Sequence, residues 1–419
     1  MDFEAEMEYS PEQESFAREV RAWIKENVPK DLVSPRDPAK VTHEQWLQRR
    51  ELGRKLGKKG WLHAAFPRKY GGGGLDADHT YVLFKEFAEK RISLPPYHDA
   101  GGGLGAAAIL AVGTDDQKEH LLPPILTGAA ATWELFTEPE AGTDEANQQT
   151  NALRVTREGN EFVINGQKIF VGGLWEPPEQ FLLLTRSDLE AQRHQNLAMF
   201  IAPARLPGIT IQRLDLFVPG MYTSISGATV DAAEGVKYTI FFDDVRIPES
   251  CLICGDHDGW KVTQATLAVE HGVIGRGAGG GRPRSTWMPK NFVARNFLNQ
   301  CRNNPGINKR LKENPHLMGL VVDAYIDAEK ERLYSIRNMG GKGGLYGGPA
   351  TQVFSKLFAL RLSPIMAAVL GPYTLTDGED LQLDRGIFEV GQRGSVCIAP
   401  AGTPEAMKIV ISRGLNIGR

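Results

Sequence analysis

Phe136-Thr137-Glu138-Pro139-Glu140-Ala141-Gly142-Thr143-Asp144 marks the point at which the texture of this 419-residue chain changes. Before it, apolar residues recur at helical spacing; after it, they alternate at period two. The stretch is dense in hydroxyls, Gly and Pro. It reads as a loop that presents backbone N–H groups and side-chain hydroxyls at short range, which suits a pyrophosphate or the edge of a heteroaromatic ring.

Upstream, Ser10-Pro11-Glu12-Gln13 is a capping box with Pro at the first helical position. Phe16, Val20, Trp23, Ile24 and Val28 follow on one helical face. The spacing predicts further helices over Thr42–Lys58, from near Asp76, over Gly101–Val112 and over Asp115–Leu126. Downstream, residues 152–157 alternate, Glu158-Gly159-Asn160 is a turn signal and Phe162-Val163-Ile164 is a strand. Asn165-Gly166 is the favoured two-residue hairpin turn, leading into Lys168-Ile169-Phe170-Val171. Strands are also expected at Gln180–Thr185, Leu197–Ile201, Ile209–Arg213 and Tyr238–Phe242. Helices return over Trp260–Ile274, Pro289–Asn303, Pro315–Arg337, Pro349–Leu370 and Pro404–Arg413. Long helices with short loops suggest an antiparallel bundle. The expected fold class is α+β: an N-terminal helical domain (1–130), a middle β domain (131–250) and a C-terminal four-helix bundle (251–419).

Composition narrows the function. Apolar residues make up 42% and charged residues 24%, a globular balance. The net charge of −3 offers no basic excess for a phosphate backbone, which argues against nucleic-acid binding. Four cysteines make no disulfide framework and suit a reducing cytoplasm. The acidic start, MDFEAEMEYS, lacks a signal-peptide pattern. The apolar run near Ala106–Val112 is too short to cross a membrane.

Several motifs are decoys. Gly275-Arg276-Gly277-Ala278-Gly279-Gly280 spells a dinucleotide fingerprint, but a helix precedes it and Arg282-Pro283 follows, whereas the fingerprint needs a strand before and a helix after. Cys251 and Cys254, with His257, form at most half of a metal site; zinc needs well-separated ligand pairs. The simpler reading is partly buried thiols after a strand. Asp115-Asp116 and Asp243-Asp244 read as cap and turn residues.

The opening loop resembles the TEPxAGSD signature of the acyl-CoA dehydrogenase family. Other segments resemble that family in the same order. Trp61, Pro67 and Tyr70-Gly71-Gly72 are similar to its W…PxxYGG element. Gly113 to Lys118, with Leu122-Pro123 and Gly128, are similar to GTxEQK…LP…G. Asn165-Gly166-Gln167-Lys168-Ile169-Phe170 resembles NGxKxWI, Phe241 to Pro248 resembles FDDVRVP, and Ala401-Gly402-Thr403-Pro404-Glu405 resembles GGTSE. The matches run from about residue 60 to 410 in one register.

The resemblance implies FAD bound between the β domain and the C-terminal helices. It implies a role for Leu135, Thr137 and Gly142 around the flavin, with Thr137 on the ring. Thr143 is implied near the pyrophosphate or substrate. Phe170 takes the place of the family's usual Trp beside the flavin, and Gly172 that of a Thr or Ser. Thr403 and Glu405 are implied to approach from the C-terminal segment. The implied reaction is α,β-desaturation of an acyl-CoA thioester, part of lipid metabolism. It needs a desolvated carboxylate for the α-proton and an acceptor for the β-hydride. Many members carry the base just before the C-terminal Gly-Thr, where this chain has Ala401. A subset carries it in an LxxER pattern, and Leu267-Ala268-Val269-Glu270-His271 places Glu270 there. Trp260, Thr263, Leu267 and Glu270 share a helical face, so Glu270 points to the apolar side. An Arg-x-x-Phe-Gly element is not matched after Arg276, and Gly371-Pro372 stands for a Gly-Gly pair.

The implied partners are an acyl-CoA, an electron-transfer flavoprotein and further copies of the chain as homodimer or homotetramer. Two other readings stand beside this one. The chain is a partner-dependent or non-catalytic subunit of a hetero-oligomeric dehydrogenase, or it is a flavoprotein oxidase of the same fold. Acyl length and shape are set by side chains around Tyr81–Phe87 and Trp133–Leu135.

Overall fold

A computed structural model describes residues 9–30, 32, 41–90, 92, 94–142, 144–147, 153–214, 236–270, 292–339, 346–375 and 402–418. Five helices come first: α1 (Pro11–Asn27), α2 (His43–Lys59), α3 (Ala77–Glu89), α4 (Ala100–Val112) and α5 (Asp115–Leu126). Three of them start on one device. The side chains of Ser10, Thr42 and Thr114 accept from the N–H groups of Gln13, Gln45 and Gln117, and each Gln side chain accepts from the cap N–H in return. Each cap is worth about 1 kcal/mol.

Eight strands follow: β1 (Thr132–Leu135), β2 (Arg154–Glu158), β3 (Glu161–Gly173), β4 (Gln180–Arg186), β5 (Leu197–Pro203), β6 (Ile209–Leu214), β7 (Val236–Pro248) and β8 (Leu252–Ile253). They form one sheet in the order β6-β7-β3-β2-β4-β5-β8, with β1 parallel to β4. β4 is an almost unbroken apolar run because both its faces are covered. Leu182 and Leu184 pack under the helices with Ala106, Ile109 and Val262. Phe181 and Leu183 face a second core with Phe162, Phe200 and Phe242.

The sheet corrects three sequence expectations. Asn165-Gly166 is not a hairpin turn; β3 runs straight through it from Glu161 to Gly173. The hairpin closes instead at Glu158-Gly159-Asn160-Glu161, where Gly159 takes φ 63°. β7 pairs along β3 on both sides of Asn165, with a register shift between Ile164 and Gly166. The local turn preference is absorbed as a bulge. Asp243-Asp244 is likewise inside β7, not a turn, with Asp244 at φ 48°. Asn165 Nδ2 donates to Asp244 Oδ1 and the Asp244 N–H donates back to Asn165 Oδ1, both at 2.9 Å. β1 and β8 were not anticipated; both are too short to show a period.

The C-terminal helices are α6 (Gly259–Glu270), α7 (Phe292–Asn303), α8 (Pro305–Glu313), α9 (Pro315–Met339), α10 (Gly347–Leu370) and α11 (Pro404–Gly414). α8 is an addition to the expected set. Asn304 caps it, accepting from Gly306 and Ile307 N–H groups, with Pro305 at the first position. α10 is long and apolar enough to cross a membrane by composition. Its Phe358, Leu362, Met366 and Val369 lie in the core of the helical region with α7, α8 and α9.

The fold sets up the site through α4 and α6, which pack together. Cys254 Sγ donates to Val112 O, at the C-terminal end of α4, at 3.0 Å. α6 begins five residues later and runs back along α4, so Glu270 comes to the end of α4 that starts at Ala100. Its buried face is Val262, Thr263, Thr266 and Val269. Trp260 and Leu267 are partly buried at the margin, and so is Glu270; the helix is rotated slightly from the face read in the sequence.

Candidate functional site

β1 ends in Leu135, which is fully buried and fixes the start of the loop. The loop is then tied to β3. The Ile169 N–H donates to Thr137 O at 2.9 Å. Lys168, 1% exposed, donates from Nζ to Phe136 O at 2.7 Å and to Glu138 Oε1 at 2.9 Å. The same Glu138 oxygen accepts from the Leu153 N–H at 3.1 Å. A buried ammonium is tolerated only with such partners. Lys168 therefore acts as a pin that sets where the Thr137 side chain stands. In the sequence it was one letter of a motif; its inward position becomes visible only once β3 is known to be continuous.

Beyond the pin, β3 leaves its regular register between Lys168 and Val171. Phe170 takes φ 58°, a left-handed conformation that costs a bulky residue about 1–3 kcal/mol. Its ring is half exposed, at 50%. Val171, between Phe170 and Gly172, is buried, and Gly172 is partly so. Gly172 is closely covered there. A Cβ on it would meet His98 Cε1 and Nε2 at 2.8 Å and Lys237 Nζ at 3.4 Å.

The loop continues as a turn in which the Ala141 and Gly142 N–H groups donate to Glu138 O at 3.2 and 3.3 Å. Gly142 takes φ 56°, with no atom within 4 Å of where a Cβ would stand. Thr143 lies outside the described residues. Asp144 pairs with Arg193 at 2.5 Å. Glu145 then turns inward and lines a small cavity with Phe136, Glu138, Lys168 and Arg186. Burial pushes its carboxyl up to about 8; Lys168 opposes this, and the negative charge of Glu270 adds to it. Glu270, on α6, is thus close enough to Glu145 for its charge to act there. The Glu270 carbonyl oxygen faces Gln352 Nε2 of α10 at 3.5 Å. Burial also holds the Arg186 guanidinium below its usual range. Neither Glu145 nor Arg186 carried a sequence signal beyond lying near the loop and on β4.

The structure thus ties the loop that follows Leu135 and carries Thr137 and Gly142 to the part of β3 that carries Phe170 and Gly172, while Glu270 acts on Glu145 just past that loop. Thr403 and Glu405 lie on α11. Thr403 is its N-cap, accepting from the Ala406 N–H at 3.1 Å. Glu405 is exposed in the first turn, 3.8 Å from Lys408. Lys356 of α10 donates to Gly402 O just before that cap. Ala401, His271 and the Gly275–Gly280 segment lie outside the described residues. Cys251 is buried, which pushes its thiol up to about 11.

The arrangement fits a flavin on three counts. A half-exposed aromatic face is held rigidly at Phe170, a threonine is held beside it by Lys168, and an open glycine turn offers backbone at Gly142. A carboxylate enters the same region from α6.

Comparison with known proteins gives matching results. Residues 10–129 match the domain described as "Acyl-CoA dehydrogenase, N-terminal domain", and residues 134–226 match "Acyl-CoA dehydrogenase, middle domain". Among curated relatives, acyl-CoA dehydrogenase IpdE1 of Mycobacterium tuberculosis is 29% identical over 264 residues, 62% of this chain and 63% of that protein. Acyl-CoA dehydrogenase FadE29 of the same organism is 27% identical over 272 residues, 64% of this chain and 63% of that protein. The matched stretch thus spans somewhat under two thirds of these relatives. Among solved structures, the Tcur3481-Tcur3483 steroid ACAD superposes with TM-score 0.74 at 24% identity, covering 98% of this chain and 99% of that one. The ChsE4-ChsE5 complex from Mycobacterium tuberculosis gives 0.71 at 22% identity, with 99% of each chain covered. At these identities the likeness shows the fold.

Proposed function

The chain belongs to the acyl-CoA dehydrogenase family, and from that premise we propose that it binds FAD and desaturates an acyl-CoA between Cα and Cβ. The observation that carries this reading is the Phe136–Asp144 loop held against β3 beside Phe170, with Glu270 of α6 close enough to the adjoining Glu145 to act on its charge. FAD, when bound, supplies the acceptor for the hydride leaving Cβ.

The chain's own residues do the rest. Phe170 gives the ring a flat apolar face, and its strained backbone keeps that face fixed. Thr137 donates a hydroxyl to the ring edge, with Lys168 holding it in place. Leu135 closes the floor. Gly142 leaves room for the pyrophosphate in its open turn, Thr143 offers it a hydroxyl, and Thr403 and Glu405 complete the site from the C-terminal segment. Glu270 takes the α-proton. It lies close enough to Glu145 for its negative charge to help raise that carboxyl. Electrons then leave to an electron-transfer flavoprotein, and the chain works in the cytoplasm as an oligomer.

A second reading is favoured by two structural neighbours whose names each join two chains, Tcur3481-Tcur3483 and ChsE4-ChsE5. In it, this chain supplies Glu270 and the β-domain half of the flavin site, and a different subunit completes it. The steroid in the first of those names makes a bulky polycyclic acyl group a natural first substrate to try.

The test is the visible spectrum of the purified chain. About one FAD per chain, bleached anaerobically by an acyl-CoA, supports the first reading. Glu270→Gln should keep the flavin and lose bleaching. A colourless chain that gains FAD only with a second subunit supports the second reading. A Glu270→Gln variant that still bleaches at the normal rate removes Glu270 as the base.

A further inference from the structure

Gly172 follows Phe170 by two residues on β3, and its missing side chain leaves room beside the backbone. Two basic side chains from different elements reach it. His98 comes from the segment before α4. Its neighbour Asp99 accepts the Thr132 N–H at 2.6 Å, tying the segment to β1. The His98 ring stands edge-on to Trp133, with centroids 6.4 Å apart, and is almost wholly buried. Lys237 comes from β7, where it pairs directly with Gly172. His98 Nε2 and Lys237 Nζ lie 2.8 and 3.4 Å from the same missing Cβ.

We propose that His98 and Lys237 together form a basic contact over Gly172 that holds the electron-rich edge of the bound flavin and favours its reduced form. The inference rests on the flavin reading above and deepens it. Desaturation sends the α-proton to Glu270. A bound flavin that took up the β-hydrogen as hydride would gain two electrons and negative charge, which His98 and Lys237 would offset from its polar edge. A protein tunes that charge by placing hydrogen-bond donors and cations at the edge. Phe170 supplies the face against which the ring lies, and the bare Gly172 lets two donors reach the edge from the side. A serine or threonine at 172 would offer one hydroxyl and shut out both.

The test uses the full chain loaded with FAD. Midpoint potentials are measured for the wild type, His98→Gln and Lys237→Met, beside FAD affinity and melting temperature. Lys237→Met should shift the potential to more negative values, equivalent to about a tenfold loss of preference for reduced over oxidised flavin. His98→Gln should shift it the same way by less, since Gln keeps a donor. Melting temperatures should stay within a few degrees of the wild type. Gly172→Ser should weaken FAD binding about tenfold by displacing both side chains from the edge, and adding His98→Ala should not restore the wild-type affinity. Flavin-loaded variants with unchanged potentials overturn the proposal and leave the flavin reading intact. A wild type that takes up no flavin, alone or with a second subunit, overturns both.

Discussion

The ammonium of Lys168 lies 2.7 Å from the carbonyl oxygen of Phe136, in a side chain with almost no exposure to water. One residue of β3 thereby fixes the first turn of the loop that carries Thr137 and Glu138. Nothing else in the chain states so directly how the sheet positions the site.

Replacing this group tests that role. Lys168→Met keeps most of the volume but leaves Glu138 buried without its cation. The expected loss is about 3–5 kcal/mol of stability, read by denaturant melts. Lys168→Met combined with Glu138→Gln should recover part of it, because the amide oxygen can still accept from the Leu153 N–H. A single variant as stable as the wild type would mean that the pin carries no weight.

Phe170 gives a second test, because two effects separate. Its left-handed backbone favours glycine over any residue with a Cβ, whereas the ring serves only the ligand. Phe170→Gly should be about 1 kcal/mol more stable than Phe170→Ala. Both should bind FAD about tenfold more weakly than the wild type, as expected for a lost ring contact of about 1.4 kcal/mol. Equal stability of the two variants would show that the conformation is not retained in solution.

The bulge at Asn165 gives a third. Asn165→Ala removes both of its bonds to Asp244 and should cost about 1–2 kcal/mol. Gly166→Ala should cost more. Gly166 takes φ 132°, and a Cβ there would stand 2.8 Å from Leu153 Cα, which is backbone and cannot swing aside. Two substitutions without effect on melting would restore the exposed hairpin turn that the dipeptide suggests in isolation.

That dipeptide shows where legibility ended. Helix starts were readable because Ser10-Pro11-Glu12-Gln13 is a local device, complete in four residues. The order of helices and strands was readable because periodicity is local too. Asn165-Gly166 and Asp243-Asp244 misled because their conformations are decided by pairing between β3 and β7, about 75 residues apart in the chain. The loop at Phe136 stands out in the sequence, and the fold ties it to the strand that carries Phe170 and Gly172. Lys168, Glu145 and His98 were not legible there, since each matters only through a neighbour distant in sequence. Gly172 illustrates the difference. In the sequence it is a missing hydroxyl; in the fold it is the space His98 occupies.

Glu145 supplies a pH-dependent prediction. Burial raises its folded-state value to about 8 against an ordinary 4.5, with Glu270 adding to the rise. Between those values the folded chain holds a proton that the unfolded chain has released, so this group makes stability fall as pH climbs from about 5 to 8. Glu145→Gln, which copies the neutral acid, should remove that slope. Unfolding free energies of the two proteins should be closest near pH 5 and diverge in favour of the variant toward pH 8. Parallel curves would show that Glu145 is ionised and solvated in the folded chain. The same variant reports on the site: the charge of Glu270 helps keep Glu145 protonated, so fixing Glu145 neutral should shift only the upper limb of the pH–rate profile, near pH 8, where Glu145 would otherwise ionise. An acyl-CoA bleaching rate measured across pH in both proteins reads that shift directly, and an unmoved profile would separate Glu145 from the proton-transfer machinery.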